Sequence, residues 1–163
     1  MNNQAIEQLL NNTTAEFSVI DTLVQQMGGP LAPICKDLTH YSLMRACGVI
    51  EYSYKAIIAD FHNGCSQQLQ TYIDKTIRES SKNPSLDNIR KMLKCFDDNW
   101  TTQFNNSLNA HADKNRLTSS LDSLNTNRNT FAHGQNCNVS FADVKTYFED
   151  SVEIIKMVDA AVV

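Results

Sequence analysis

The sequence predicts an all-α fold, and two observations carry that prediction. The 163 residues include only five Gly and three Pro, too few turn-formers for a many-stranded β fold. Apolar residues also recur at three- and four-residue spacing along almost every long segment, the period of a helix with one face in a core. The length fits one domain over residues 1–163.

The first helix is expected from Gln4 to Gln26, with Ile6, Leu9, Leu10, Phe17, Ile20, Leu23 and Val24 on its apolar stripe; Gly28-Gly29-Pro30 should stop it. The second runs from about Ile34 to Phe61, roughly 40 Å at 1.5 Å per residue, which marks it as central. Leu43, Cys47, Ile50, Tyr54, Ile57 and Phe61 form its core face. A third helix is expected from Ser66 to Ser80. Ser85 should cap a short fourth from Leu86 to Cys95. A fifth covers Thr101 to His111. The next lies within Asp113 to His133, with Leu117, Leu121 and Leu124 inward and Gly134 as a left-handed stop. Ser140 should cap a final helix carrying Phe141, Val144, Phe148, Val152, Ile155, Val158 and Val162.

Composition narrows the function classes. Apolar residues make up 42% of the chain and charged residues 20%, values of an ordinary soluble protein. A net charge of −4 argues against indiscriminate coating of nucleic acid, but leaves room for a small, locally positive site. Cys35, Cys47, Cys65, Cys95 and Cys137 are scattered and odd in number. That pattern points to reduced thiols in a cytoplasm, mostly as small buried apolar groups. The polar start shows no targeting peptide, and no apolar run reaches spanning length, so no membrane partner is expected. Four scattered His and no carboxylate cluster make a metal hydrolase a poor fit, and no strand–turn–helix nucleophile motif is present. No cofactor is expected.

Two charged residues interrupt apolar stripes. Glu51 shares a side of the second helix with Met44, Cys47, Tyr54 and Ile58; Arg128 follows Leu121 and Leu124 and precedes Phe131. A buried charge is costly without a partner, so the two are expected close together. They could form a structural ion pair, snorkel to the surface, or line a site. His133 follows Arg128 by five residues, a rotation of roughly 140° on an ideal helix. Taken alone, His133 is what a helix C-terminus favours, since a His there suits the helix dipole.

The wider segment is more specific. Leu124-Asn125-Thr126-Asn127-Arg128-Asn129-Thr130-Phe131-Ala132-His133-Gly134 closely resembles the signature of the HEPN superfamily: Arg, a polar residue, three variable residues, then His, late in a helix. Arg45-Ala46-Cys47-Gly48-Val49-Ile50-Glu51-Tyr52 is similar to that superfamily's earlier helix. The final helix, entered through Val139-Ser140-Phe141-Ala142-Asp143-Val144, resembles the RiboL-PSP-HEPN branch.

This resemblance implies a HEPN-like four-helix bundle core with additional helices, and RNA cleavage without metal. It also implies a homodimer with a composite active site, and a place in toxin or phage-defence systems beside an antitoxin or defence partner. Arg128, Asn129 and His133 take the catalytic positions; Glu51 and Arg45 take supporting ones, with Glu51 pairing to Arg128. The alternative implied is a non-catalytic module binding RNA, a nucleotide or a partner protein. The chemistry suits these residue types. Attack by a ribose 2′-OH needs a base that titrates near neutrality, as imidazole does, and a planar cation for the phosphate. A second basic group, Lys75, Arg78, Lys82, Arg90, Lys91 and Lys94, could guide RNA phosphates toward the cleft but reads chiefly as a solvated face.

Overall fold

The computed structural model describes residues 1–27, Gly29 and residues 33–163. Seven α-helices occur among them: α1 (Gln4–Gln26), α2 (Pro33–Asp60), α3 (Gln67–Ile73), α4 (Leu86–Phe96), α5 (Asp98–Ala110), α6 (Lys114–Ala132) and α7 (Phe141–Ala161). No strand occurs among the described residues, so the all-α expectation holds. Helix α3 continues as a π-helical turn, Asp74–Arg78.

Helix starts follow capping chemistry. Asn3, Ser66, Ser85 and Asp97 each accept a backbone N–H from the first turn that follows. Ser140 and Asp143 form a reciprocal capping box that opens α7. Asp97 caps α5, which begins at Asp98, three residues before the expected start at Thr101. Of the expected stop after α1, Gly28 and Pro30 lie outside the described residues, whereas Gly29 has a φ of +88°, open to glycine at little cost.

Cross-helix pairs give the directions. Asn3 donates to Asp60 and Arg45 pairs with Glu16, so α1 and α2 are antiparallel. Lys145 meets Asp21, and the backbone of Asn3 donates to Asp159, which sets α7 antiparallel to α1. Arg116 and Ser120 both reach Asp150, aligning α6 against α7. Helices α1, α2, α6 and α7 thus form the four-helix core, and α5 covers α7 with α4 outside it.

The core is one continuous cluster that includes Phe17, Leu43, Tyr54, Phe104, Leu121 and Phe148. Phe17 meets Phe148 edge-to-face at 5.1 Å between centroids. Each fully buried Leu or Phe contributes about 1.5–3 kcal/mol relative to exposure, and this fixes which face of each helix turns inward. Leu23 and Phe61, both on expected stripes, are instead exposed. Leu23 lies in the last turn of α1, where Val24 takes the inward position, and Phe61 follows α2 and meets Trp100 edge-to-face while its other side stays open.

Candidate functional site

The geometry of the motif starts with where α6 leaves the core. Leu117, Ser120, Leu121, Leu124 and Asn125 are its buried residues; after Asn125 none is fully buried. Arg128, Asn129, Thr130 and Phe131 are half-buried, and Ala132 and His133 are exposed. The last two turns therefore carry polar side chains at the edge of solvent, where an interior stripe would need Leu.

The helix end is closed by the backbone. Gly134 adopts a φ of +71°, its N–H donates to Phe131 O at 2.9 Å, and the N–H of Gln135 donates to Thr130 O at 3.1 Å. These two bonds form a Schellman motif with His133 as the C-cap residue. The left-handed stop expected at Gly134 is present, and it holds His133 outward.

Arg128 is fixed by its neighbour, its Nη1 donating to Asn129 Oδ1 at 3.1 Å. Among the described residues it forms no ion pair. Four guanidinium N–H groups are left for other acceptors. Across from Arg128, α2 presents Cys47, whose Sγ donates to Asn125 Oδ1 at 3.7 Å. Burial pushes the Cys47 thiol up to about 11; the charge of Arg128 opposes that rise and the charge of Glu51 adds to it. Arg128 and Glu51 thus flank one buried thiol.

The expected Glu51–Arg128 pair does not form. Glu51 pairs with Lys55 one turn along α2, Nζ to Oε1 at 2.5 Å. Lys55 is buried and also donates to Ser80 O. An i,i+4 Glu–Lys pair needs no tertiary rearrangement, and a buried ammonium is costly without a counter-charge, so Glu51 is held by the buried cation. Arg45 is not joined to the motif either. It sits roughly 160° around α2 from Cys47 and pairs with Glu16 of α1 at 3.2 Å.

Lys55 and Asn125 are the residues that sequence reasoning missed. Asn125 Nδ2 donates to Pro84 O at 3.2 Å and to Leu121 O at 2.9 Å, while Lys55 and Tyr54 hold Ser80 O and Lys82 O. Together they pin the 80–84 loop against α2 and α6 beside the motif. The Glu51-x-x-x-Lys55 spacing and an Asn inside an apolar stripe were the available signals. In the basic group, Arg78 is tied to Asp60 and Asp74, and Arg90 to Asn105, which leaves the lysines to solvent. Cys35, Cys47 and Cys137 are buried free thiols, whereas Cys65 and Cys95 are exposed. Among the described residues no group of three His, Cys, Asp or Glu side chains is placed to hold a metal ion, and no helix is long and apolar enough to cross a membrane.

An all-helical bundle with an Arg-Asn pair and an outward His at the end of its penultimate helix defines a class of domain. The sequence profile of the RiboL-PSP-HEPN family matches residues 3–163, and the chain belongs to that family. Membership points to a nuclease or RNA-binding module. Neither a curated protein nor a solved structure matches the chain.

Proposed function

We propose that the protein is a metal-independent endoribonuclease, working as a homodimer in a toxin or phage-defence setting with an antitoxin or defence protein as partner. One observation carries this reading. Arg128 is held by Asn129, free of any carboxylate pair among the described residues, five residues from an exposed His133. A structural arginine would be neutralised; this one is oriented and left available for an anion.

In the reaction, His133 of one copy takes the proton from a ribose 2′-OH as that oxygen attacks the adjacent phosphorus. His133 of the second copy gives a proton to the departing 5′-oxygen. Arg128 bears on the non-bridging oxygens, where charge grows in the transition state. The products are a 2′,3′-cyclic phosphate and a 5′-hydroxyl.

The outer face of α2 supports the dimer. Tyr41, Met44 and Tyr52 are 51%, 37% and 54% exposed, and Gly48 lies between them at the same helical spacing. Tyr and Met are enriched in protein interfaces, and this strip adjoins Glu51, one turn from Cys47 on α2. A Cβ added at Gly48 meets nothing within 4 Å, so the isolated fold tolerates a side chain there. Gly48→Arg is expected to keep the helical fold and yield a monomer by light scattering, with cleavage lost. A folded Gly48→Arg dimer with full activity rules out this interface.

The direct test is His133→Ala. Cleavage of single-stranded RNA should fall below detection with the melting temperature unchanged, and wild-type cleavage should persist in EDTA with a bell-shaped pH–rate curve. Full activity in His133→Ala excludes it as acid or base. Wild-type protein that binds RNA or a partner through this surface and never cleaves is instead the non-catalytic module.

A further inference from the structure

Phe131, inside the motif, meets a ring from α2. Its centroid lies 4.3 Å from that of His40 with the planes 25° apart, and both rings are half-buried. His40 lies on the flank of α2 that carries Cys47, so this stack continues the line that begins at Arg128. Filling space against Phe131 would need only Leu or Met. A flat, polar ring at the rim of a cavity offers a stacking face as well.

That cavity is a cleft of about 720 Å³ between α1, the first turns of α2 and the segment leading into α7. Its volume falls within the roughly 300–1,000 Å³ range of small-molecule sites. Lys36, Thr39 and His40 line one side, and Cys137, Val139 and Phe141 line the other. Lys36 is exposed one turn before His40 on the same flank. Among the described residues, no hydrogen bond engages the backbone N–H or C=O groups of residues 136–139. An aromatic face, a nearby cation and unengaged backbone edges are what a single unpaired nucleotide needs: stacking for the base, charge for the phosphate, donors and acceptors for the base edge.

We propose that this cleft holds the nucleotide of single-stranded RNA next to the linkage at Arg128, its base stacked on His40. The inference rests on the ribonuclease reading for its substrate, but binding here does not require cleavage. His40 is a base-stacking residue, and Phe131 is the support that sets its plane.

The test uses a short, labelled 2′-fluoro RNA, which lacks the attacking hydroxyl, and the same strand with abasic sites. Fluorescence anisotropy is read for wild type, His40→Ala, His40→Phe and Lys36→Ala. His40→Ala should weaken binding of the intact strand by about ten-fold, within the span of one base–aromatic contact. His40→Phe should stay within about two-fold of wild type, because any aromatic face stacks a base. The abasic strand should bind wild type and His40→Ala equally. Lys36→Ala, at an exposed position, should lower the salt dependence by about one released counterion, and it keeps the test open if His40→Ala does not fold.

Equal affinity of folded His40→Ala and wild type for the intact strand overturns the proposal, as does an equal loss for the abasic strand. If His40→Ala cannot be folded, an unchanged salt slope in Lys36→Ala overturns it. A wild-type protein that never cleaves but depends on His40 for binding keeps the cleft and loses the nuclease reading. One that cleaves and is indifferent to His40 does the reverse.

Discussion

Helix α6 carries two arginines in opposite circumstances. Near its start, Arg116 is spent on carboxylates: its Nη1 meets Asp150 at 2.5 Å and its Nη2 meets Asp113 at 3.3 Å. Asp150 is 4% exposed and also accepts the Ser120 hydroxyl at 2.6 Å, so both of its oxygens are satisfied. Near the helix end, Arg128 has an amide neighbour and no carboxylate pair among the described residues. The first arginine completes a buried network and the second is kept open. One helix thus carries a cation neutralised by carboxylates and a cation that is not, and burial alone does not separate them, since Arg116 is the more exposed.

The largest expected effect comes from removing the open cation. On the proposed ribonuclease reading, Arg128→Ala should lower the cleavage rate by about two to three orders of magnitude, the usual loss when a transition-state donor is deleted. Its thermal stability should stay within about 0.5 kcal/mol of wild type, as for other substitutions away from the core. Arg116→Ala should do the opposite, leaving the rate per folded molecule unchanged and costing about 2–3 kcal/mol, because the buried Asp150 carboxylate loses its counter-charge. Equal rate losses in the two variants would erase the distinction drawn between the two ends of α6.

Next in size is Asp150→Ala. It strands the buried Ser120 hydroxyl and leaves Arg116 with Asp113 alone, so urea denaturation should report a loss of about 2–3 kcal/mol. Activity per folded molecule should be preserved. A neutral outcome would mean that the network contributes nothing beyond what water supplies.

The smallest effect is a pH signature at the thiol opposite Arg128. The ordinary Cys value is 9.0, and burial raises that of Cys47 to about 11 in the fold. The unfolded chain therefore loses its proton first as pH rises. The stability tied to Cys47 is fully present below about pH 9 and declines as pH climbs toward about 11. Cys47→Ala should flatten that part of the stability curve. Since the charge of Arg128 pulls the thiol down, Arg128→Ala should move the onset of Cys47 alkylation to higher pH. An onset that does not move would place Arg128 outside the reach of Cys47.

Local features were legible in the sequence because their causes lie within a few residues. Helical spacing located the inward faces of α2, α6 and α7. Capping residues marked Ser85 and Ser140, and a glycine needing positive φ marked the end of α6. The motif itself was legible for the same reason: Arg128, Asn129 and His133 occupy one helix end, and a helix end is a local structure.

Partner choice was another matter. Spacing placed Glu51 one turn from Cys47 on α2, but whether it would meet Arg128 or Lys55 depended on the 80–84 loop. That loop supplies Ser80 O, which holds Lys55 in place. Arg45 read as a cation beside the motif until α1 presented Glu16 on the far flank. The stack of His40 on Phe131 joins residues far apart in the chain. The sequence by itself determined the helices, their caps and the residue types at the end of α6, since backbone propensity and hydrophobic period act at short range. Only the tertiary structure decided which charges cancel, which stay open and what lies beside them. Those outcomes are set by Coulomb and desolvation energies between distant segments, and these exist only once the helices have packed.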